Sequence, residues 1–276
     1  MGLLQGVSEL FPISSLGHSV IFPRLVGWQI NQGDPFFLTF LVATHLATAL
    51  VLVGFFWREW WQIARGLGRS LARREIRQDD TYAKLVWLLV VGTIPAGILG
   101  LLLQEPLQML FASARVAAFF LILNGGLLYG AELLRRKAPQ DESQSGSDRR
   151  LSRLTWGQAF KVGVSQIIAL IPGFSRSGST MAGSLLVGLS HEDAARFSFL
   201  LATPIIGAAA ALKLPELFAP ANHAMLGPCL LGALCAGLTA YLSVKFLLKY
   251  FQTEKLTPFA LYCAAAGIAC TLIFLR

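Results

Sequence analysis

Apolar residues run along this chain in long blocks, and seldom recur at the three- and four-residue spacing of a half-buried helix. A bilayer-crossing helix needs about twenty such residues. Six blocks are long enough: residues 36–57, 84–103, 114–134, 196–214, 224–248 and 256–275. Two further segments, 3–26 and 156–187, are apolar at their ends and interrupted in the middle by Ser, Gly, Pro and ionisable residues. Irregular backbone at membrane depth is tolerated only where protein or a wet cavity surrounds it. The pattern predicts an all-α polytopic membrane protein with about six transmembrane helices plus two re-entrant helix–loop–helix elements.

The two interrupted segments resemble each other. The first reads GVSELFPISSLGHS from Gly6 and the second GVSQIIALIPGFSRSGST from Gly163. Each passes from Gly-Val-Ser through Glu or Gln and an apolar stretch to Pro, clustered Ser and Gly, and each precedes three spans. The chain thus divides into a first repeat, 1–134, a polar connection, 135–155, and a second repeat, 156–276. Counting crossings from the basic loops gives the halves opposite orientation. Inverted-topology repeats of this kind place a site near the midplane, where the broken helices meet.

Composition agrees with the pattern. The chain is 55% hydrophobic and 14% charged, with a mean hydropathy of +0.60, against about a quarter charged in soluble domains. The net charge of +8 could suggest a nucleic-acid partner, but its distribution excludes that reading. Arg58, Arg65, Arg69, Arg73, Arg74, Arg77 and Lys84 follow the first span; Arg135, Arg136, Lys137, Arg149, Arg150, Arg153 and Lys161 follow the third. Lys245, Lys249 and Lys255 follow the fifth, whereas the opposite loops hold little beyond Arg24, Arg115 and Lys213. By the positive-inside rule the basic loops are cytoplasmic. Cys229, Cys235, Cys263 and Cys270 lie inside apolar spans without metal-ligand spacing and read as small buried residues. No cleavable signal peptide is visible, residues 140–148 read as a flexible loop, and Pro95 and Pro204 read as kinks. Ser190 with Asp193 reads as a capping box and His191 as a solvated loop residue.

The chemistry lies in the interruptions. In PGFSRSGST, Pro172 and Gly173 break a helix, and hydroxyls of Ser175, Ser177, Ser179 and Thr180 flank Arg176. An Arg at bilayer depth costs at least about 2.5 kcal/mol and needs a partner. Hydroxyls, free N–H groups at a helix start and a guanidinium together suit a phosphate. Small residues packing helices would explain the serines but not Arg176. The first motif adds Glu9 and His18, with Ser14, Ser15 and Gly17 between and beside them. A carboxylate can take a divalent cation or act as a base, and an imidazole can attack phosphorus or protonate a leaving group.

QGVSELFPISSLGH resembles the (E/Q)GxTExxPxSSxGH motif of the bacterial undecaprenyl-diphosphate phosphatases, the bacitracin-resistance family. PGFSRSGST is similar to that family's PGxSRSGxT motif, and IPAGILGLLL from Ile94 and FSFLLATP from Phe197 also match in place. The resemblance implies an integral enzyme of the bacterial inner membrane with an outward-opening site. It would cleave the terminal phosphate of a polyprenyl diphosphate among membrane lipids, with room for a homodimer. By position it implies Glu9, Ser15, His18 and Arg176 as catalytic residues. It implies Ser175, Arg176 and Thr180 as phosphate-binding residues, to which the motif chemistry itself adds Ser14 and Ser177, and Mg2+ or Ca2+ at Glu9 and Gln5. Whether Ser15 or His18 is the nucleophile stays open.

This sequence departs from the family in places. Gln5 stands where Glu is common, keeping an oxygen ligand but losing a charge. His45 stands where many members carry Gln and reads as a core histidine. The chain also opens about a dozen residues later than typical members, so an N-terminus set further upstream is expected. Two other functions fit the same pattern: a polyprenyl-phosphate or anion transporter using the same midplane site, and an inactive paralogue that only binds polyprenyl phosphates.

Overall fold

The computed structural model describes residues 1–28, 35–77, 79–103, 113–135, 146–217 and 225–275. Every element among these residues is helical. The order is α1 (Gly2–Leu10), α2 (Ser15–Leu25), α3 (Pro35–Phe55), α4 (Trp57–Arg73), α5 (Thr81–Leu102) and α6 (Ala114–Arg135). Next come α7 (Ser147–Ser152), α8 (Trp156–Ser165), a 3-10 turn (Gln166–Leu170), α9 (Arg176–Leu186), α10 (His191–Leu217), α11 (Leu226–Tyr250) and α12 (Thr257–Leu275).

Among the described residues α5, α6, α11 and α12 are each long and apolar enough to cross a membrane. A fifth candidate is the bent pair of α3 from residue 39 and α4, which meet at 84°. The sixth expected block, 196–214, lies within α10. The outer faces are apolar: Leu230, Leu234 and Leu238 of α11 are each more than 60% exposed, as suits contact with lipid rather than water.

Small residues let the helices touch. At the crossing of α6 and α12, a Cβ on Gly125 would stand 2.7 Å from the Ala260 carbonyl oxygen. α1 lies equally close to α11 through Gly2 and Gly6. Such close backbone approach is the usual way membrane helices associate, because lipid leaves little hydrophobic drive between them.

Both interrupted segments fold as helix–break–helix. α1 ends at Phe11 and α2 restarts at Ser15; α8 runs through the 3-10 turn, and α9 restarts at Arg176. The restarts share one cap: Ser14 Oγ accepts from Gly17 N at 3.1 Å, and Ser175 Oγ accepts from Gly178 N at 3.1 Å. A serine two positions after Pro12 and one three positions after Pro172, each with Gly three residues on, thus give the same side-chain cap from different backbone conformations, Ser14 at φ 74 and Ser175 at φ -93.

Three expectations need correction. The flexible stretch 140–148 lies mostly outside the described residues, but Ser147–Ser152 is helical and anchored: Arg150 pairs with Asp193 at 2.5 Å, and Asp148 with Arg196 at 2.7 Å. His191 is half-buried and ion-paired rather than solvated, its Nε2 2.9 Å from Glu132 Oε2. Ser190 does cap α10 by accepting from Asp193 N at 3.1 Å. The Asp193 carboxylate, however, turns to Arg150 and Ser147 instead of closing a capping box.

Candidate active site

The breaks of the two motifs meet, and Asn124 of α6 ties them together. Its Nδ2 donates to the Pro12 carbonyl at 3.0 Å, while its Oδ1 accepts from Ser175 N at 3.0 Å. Ser177 Oγ also donates across the junction, to the Phe11 carbonyl at 2.9 Å. Backbone groups freed where helices break are thereby satisfied inside the protein. Packing is tight: a Cβ on Gly17 would lie 3.2 Å from Gly173 Cα, and Gly173 itself has φ +103, which side chains resist.

This junction sets four elements around the Glu9 carboxylate. Oε2 accepts from Ser15 Oγ at 2.6 Å and from Gln5 Nε2 at 3.2 Å, with His45 Nε2 also 3.2 Å away. Oε1 accepts from Arg176 Nη2 at 3.1 Å and Nε at 3.3 Å. Glu9 and Gln5 come from α1, Ser15 from α2, His45 from α3 and Arg176 from α9. Glu9 is only 6% exposed, and a buried carboxylate needs such compensation. Arg176 also reaches the Ser198 carbonyl at 3.5 Å, so three of its five N–H groups are engaged and two remain for an anion.

His45 is therefore not the plain core histidine expected from sequence. Its Nδ1 faces the Leu41 carbonyl at 2.7 Å and its Nε2 faces Glu9, both acceptors, a pattern satisfied by an imidazolium. His18 is wired differently. Its Nδ1 lies 2.7 Å from the Ser14 carbonyl, which requires N–H there and leaves a lone pair on Nε2. That nitrogen lies 2.8 Å from the Tyr262 hydroxyl, the rings stacked 5.8 Å apart at 12°.

The structure thus brings Gln5, Glu9, Ser15 and Arg176 into one cluster, with His18 one helical turn beyond Ser15 on α2. Of the remaining hydroxyls singled out in the sequence, Ser14 and Ser175 are caps and Thr180 Oγ1 donates to the Arg176 carbonyl at 2.8 Å, whereas Ser179 Oγ is buried without a hydrogen-bond partner among the described residues. Ser175 and Ser177 share a further contact at 3.0 Å. His45, Tyr262 and Asn124 are the contributors that sequence reasoning missed. Only an ionisable group inside an apolar block hinted at the first.

A divalent cation fits this donor set in a limited way. Gln5 Oε1 is buried and without a hydrogen-bond partner, next to the Glu9 carboxylate, so two protein oxygens of the right kind lie together. Among the described residues no cluster of three or more acidic, His or Cys side chains exists. The remaining ligands must be phosphate oxygens or water, the usual arrangement for a Mg2+-type ion.

A carboxylate, a hydroxyl and a guanidinium drawn from opposite halves of a helical membrane protein are thus buried together, a set suited to phosphate chemistry. The family described as bacitracin resistance protein BacA matches residues 1–269, and the chain belongs to that family. It is 48% identical to an undecaprenyl-diphosphatase of Mycolicibacterium paratuberculosis, over 97% of this chain and 93% of that one. It is 46% identical to the undecaprenyl-diphosphatase of Acidiphilium cryptum, over 96% of this chain and 93% of that one. It is 41% identical to undecaprenyl-diphosphatase 2 of Frankia alni, over 99% and 96% respectively.

Proposed function

We propose that this protein hydrolyses undecaprenyl diphosphate to undecaprenyl phosphate and inorganic phosphate, returning a lipid carrier to cell-wall synthesis. The observation that carries this reading is the Ser15 hydroxyl donating to Glu9 Oε2 at 2.6 Å, with Arg176 on the other carboxylate oxygen. A nucleophile, its base and an anion clamp are the parts that phosphoryl transfer requires. The names of the relatives support the same substrate.

In this reading Ser15 Oγ attacks the terminal phosphorus and Glu9 takes the hydroxyl proton. The new O–P bond forms as the bond to the bridging oxygen breaks, and undecaprenyl phosphate leaves. Water then hydrolyses the phosphoserine and releases inorganic phosphate. The two uncommitted N–H groups of Arg176 hold the transferring phosphoryl oxygens. His18 Nε2 exchanges protons with phosphate or water by way of the Tyr262 hydroxyl that it holds. Glu9 and Gln5 would hold Mg2+ or Ca2+, which when bound neutralises phosphate charge. Ser14, Ser175, Ser177 and Thr180 shape the N-termini of α2 and α9 around the phosphate rather than gripping it with free hydroxyls. One copy of the chain carries every residue of this set.

The protein resides in the bacterial inner membrane with its basic loops cytoplasmic and the site opening outward, following the charge bias of the loops. The test is phosphate release from undecaprenyl diphosphate by purified protein in detergent, with and without EDTA. Turnover in detergent is expected, because hydrolysis needs no sealed membrane. Ser15→Ala and Arg176→Ala should each reduce it by about a hundredfold or more. A wild-type protein that binds the lipid but releases no phosphate at any cation concentration would overturn the reading.

A further inference from the structure

α4 is a surface helix with three distinct faces. Successive residues of a helix are set about 100° apart, so positions three, four and seven apart line up. Ile63, Gly66 and Ser70 form the face turned inward. Ser70 Oγ there accepts from Trp87 Nε1 of α5 at 3.0 Å. A second face carries Trp57 (58% exposed), Trp61 (61%), Ala64, Gly68 and Leu71 (57%), at intervals of four, three, four and three. The third carries Arg58, Arg65, Arg69 and Arg73.

Two ion pairs fasten the helix to the body. Glu59 accepts from Arg196 of α10 at 2.8 Å, and Arg69 makes a two-pronged pair with Asp80 at 2.7 Å. Arg58 stacks over Trp57 at 5.4 Å, and among the described residues neither it nor Arg65 makes an ion pair. α4 leaves the apolar run of α3 at 84°, the angle expected of a helix set along the membrane plane at the end of a span.

We infer that α4 is a docking surface for acidic phospholipids. Exposed indoles at the end of a span sit at the headgroup level, where an apolar body and a polar N–H are both satisfied. An adjoining row of guanidinium groups then faces the phosphates, and charge complementarity selects acidic headgroups over zwitterionic ones. The inward face, already packed on α5, holds the other two faces in register. The helix is a fixed platform, distinct from the cluster around Glu9 and independent of its chemistry.

The test uses the full-length protein in vesicles of mixed phosphatidylglycerol and phosphatidylcholine, with bromine on the acyl chains of one lipid at a time. The tryptophan signal specific to α4 is the difference between wild type and the Trp57→Phe/Trp61→Phe protein. Brominated phosphatidylglycerol should quench that signal about twofold more than its mole fraction requires, and high salt should erase the excess. Arg58→Gln/Arg65→Gln/Arg73→Gln should erase it as well. The salt comparison on wild-type protein stands even if either variant fails to fold. Equal quenching by both lipids would overturn the inference, as would quenching by neither, which would place another protein surface over the indoles.

Discussion

Tyr262 meets His18 through its hydroxyl, 2.8 Å from Nε2, whose lone pair faces it because Nδ1 donates its N–H to the Ser14 carbonyl. The phenol comes from α12, near the end of the chain, whereas His18 belongs to the first motif. Tyr262→Phe keeps the stacked ring and removes only the hydroxyl, so the fold should be unchanged while the imidazole loses its anchor. We expect kcat for phosphate release to fall about ten- to a hundredfold with little change in KM. A raised KM at constant kcat would mean that the hydroxyl contacts substrate instead.

Asn124→Ala should act on assembly. The substitution strands Ser175 N and removes the main donor to the Pro12 carbonyl, two buried groups at the junction of the motifs. Each unsatisfied group costs about 1–3 kcal/mol. Thermal unfolding in detergent should show a lowered midpoint, with loss of activity tracking it.

Gln5→Glu tests the cation site. Gln5 Nε2 donates to Glu9 Oε2 at 3.2 Å, so a second carboxylate there would lose that bond and repel the first unless a cation lay between them. The concentration of Mg2+ or Ca2+ giving half-maximal phosphate release should fall, and inhibition by EDTA should steepen. Unchanged cation dependence would remove position 5 from the metal site.

Acid stability should report on the anchor of α4. The hydrogen bonds from Arg69 hold Asp80 below its ordinary value of 3.8. A carboxyl depressed on folding stabilises the protein fully above its unfolded value, and that stabilisation is lost as pH falls through the lower folded one. Asp80→Asn retains the cap on Ala83 N but removes the charge. Its stability to unfolding should lie slightly below wild type at neutral pH, by less than about 1 kcal/mol for so exposed a pair, and the two curves should converge below pH 4.

The helical class and the chemistry of the two motifs were legible in the sequence because both are local. Apolar block length reports a span, and Glu9, Ser15 and Arg176 stand out as polar groups that lipid would not tolerate unpaired. Their partners were not legible. His45 sits on α3 at a spacing that suits a packed core position equally well, and only the close approach of α1 and α3 turns it onto Glu9. Tyr262 and Asn124 reach the site through contacts between helices far apart in the chain. α4 was read as a basic loop because its charge density hid an apolar stripe of helical period. His191 was misplaced for a similar reason: its buried partner Glu132 lies in a different span.

Glu9 finds Ser15 on its own half of the chain and Arg176 on the other, and residues 136–145 lie between those halves. Neither half can be inherited as a working enzyme by itself. If one ancestral unit was once doubled and fused, its single copies could have worked only as antiparallel pairs, with two equivalent sites. Once joined, the two copies were free to diverge: carboxylate, hydroxyl and imidazole settled in one, and the guanidinium in the other at the place of Ser15. A half severed from the other would carry either the attacking group or the clamp for its target, and never both.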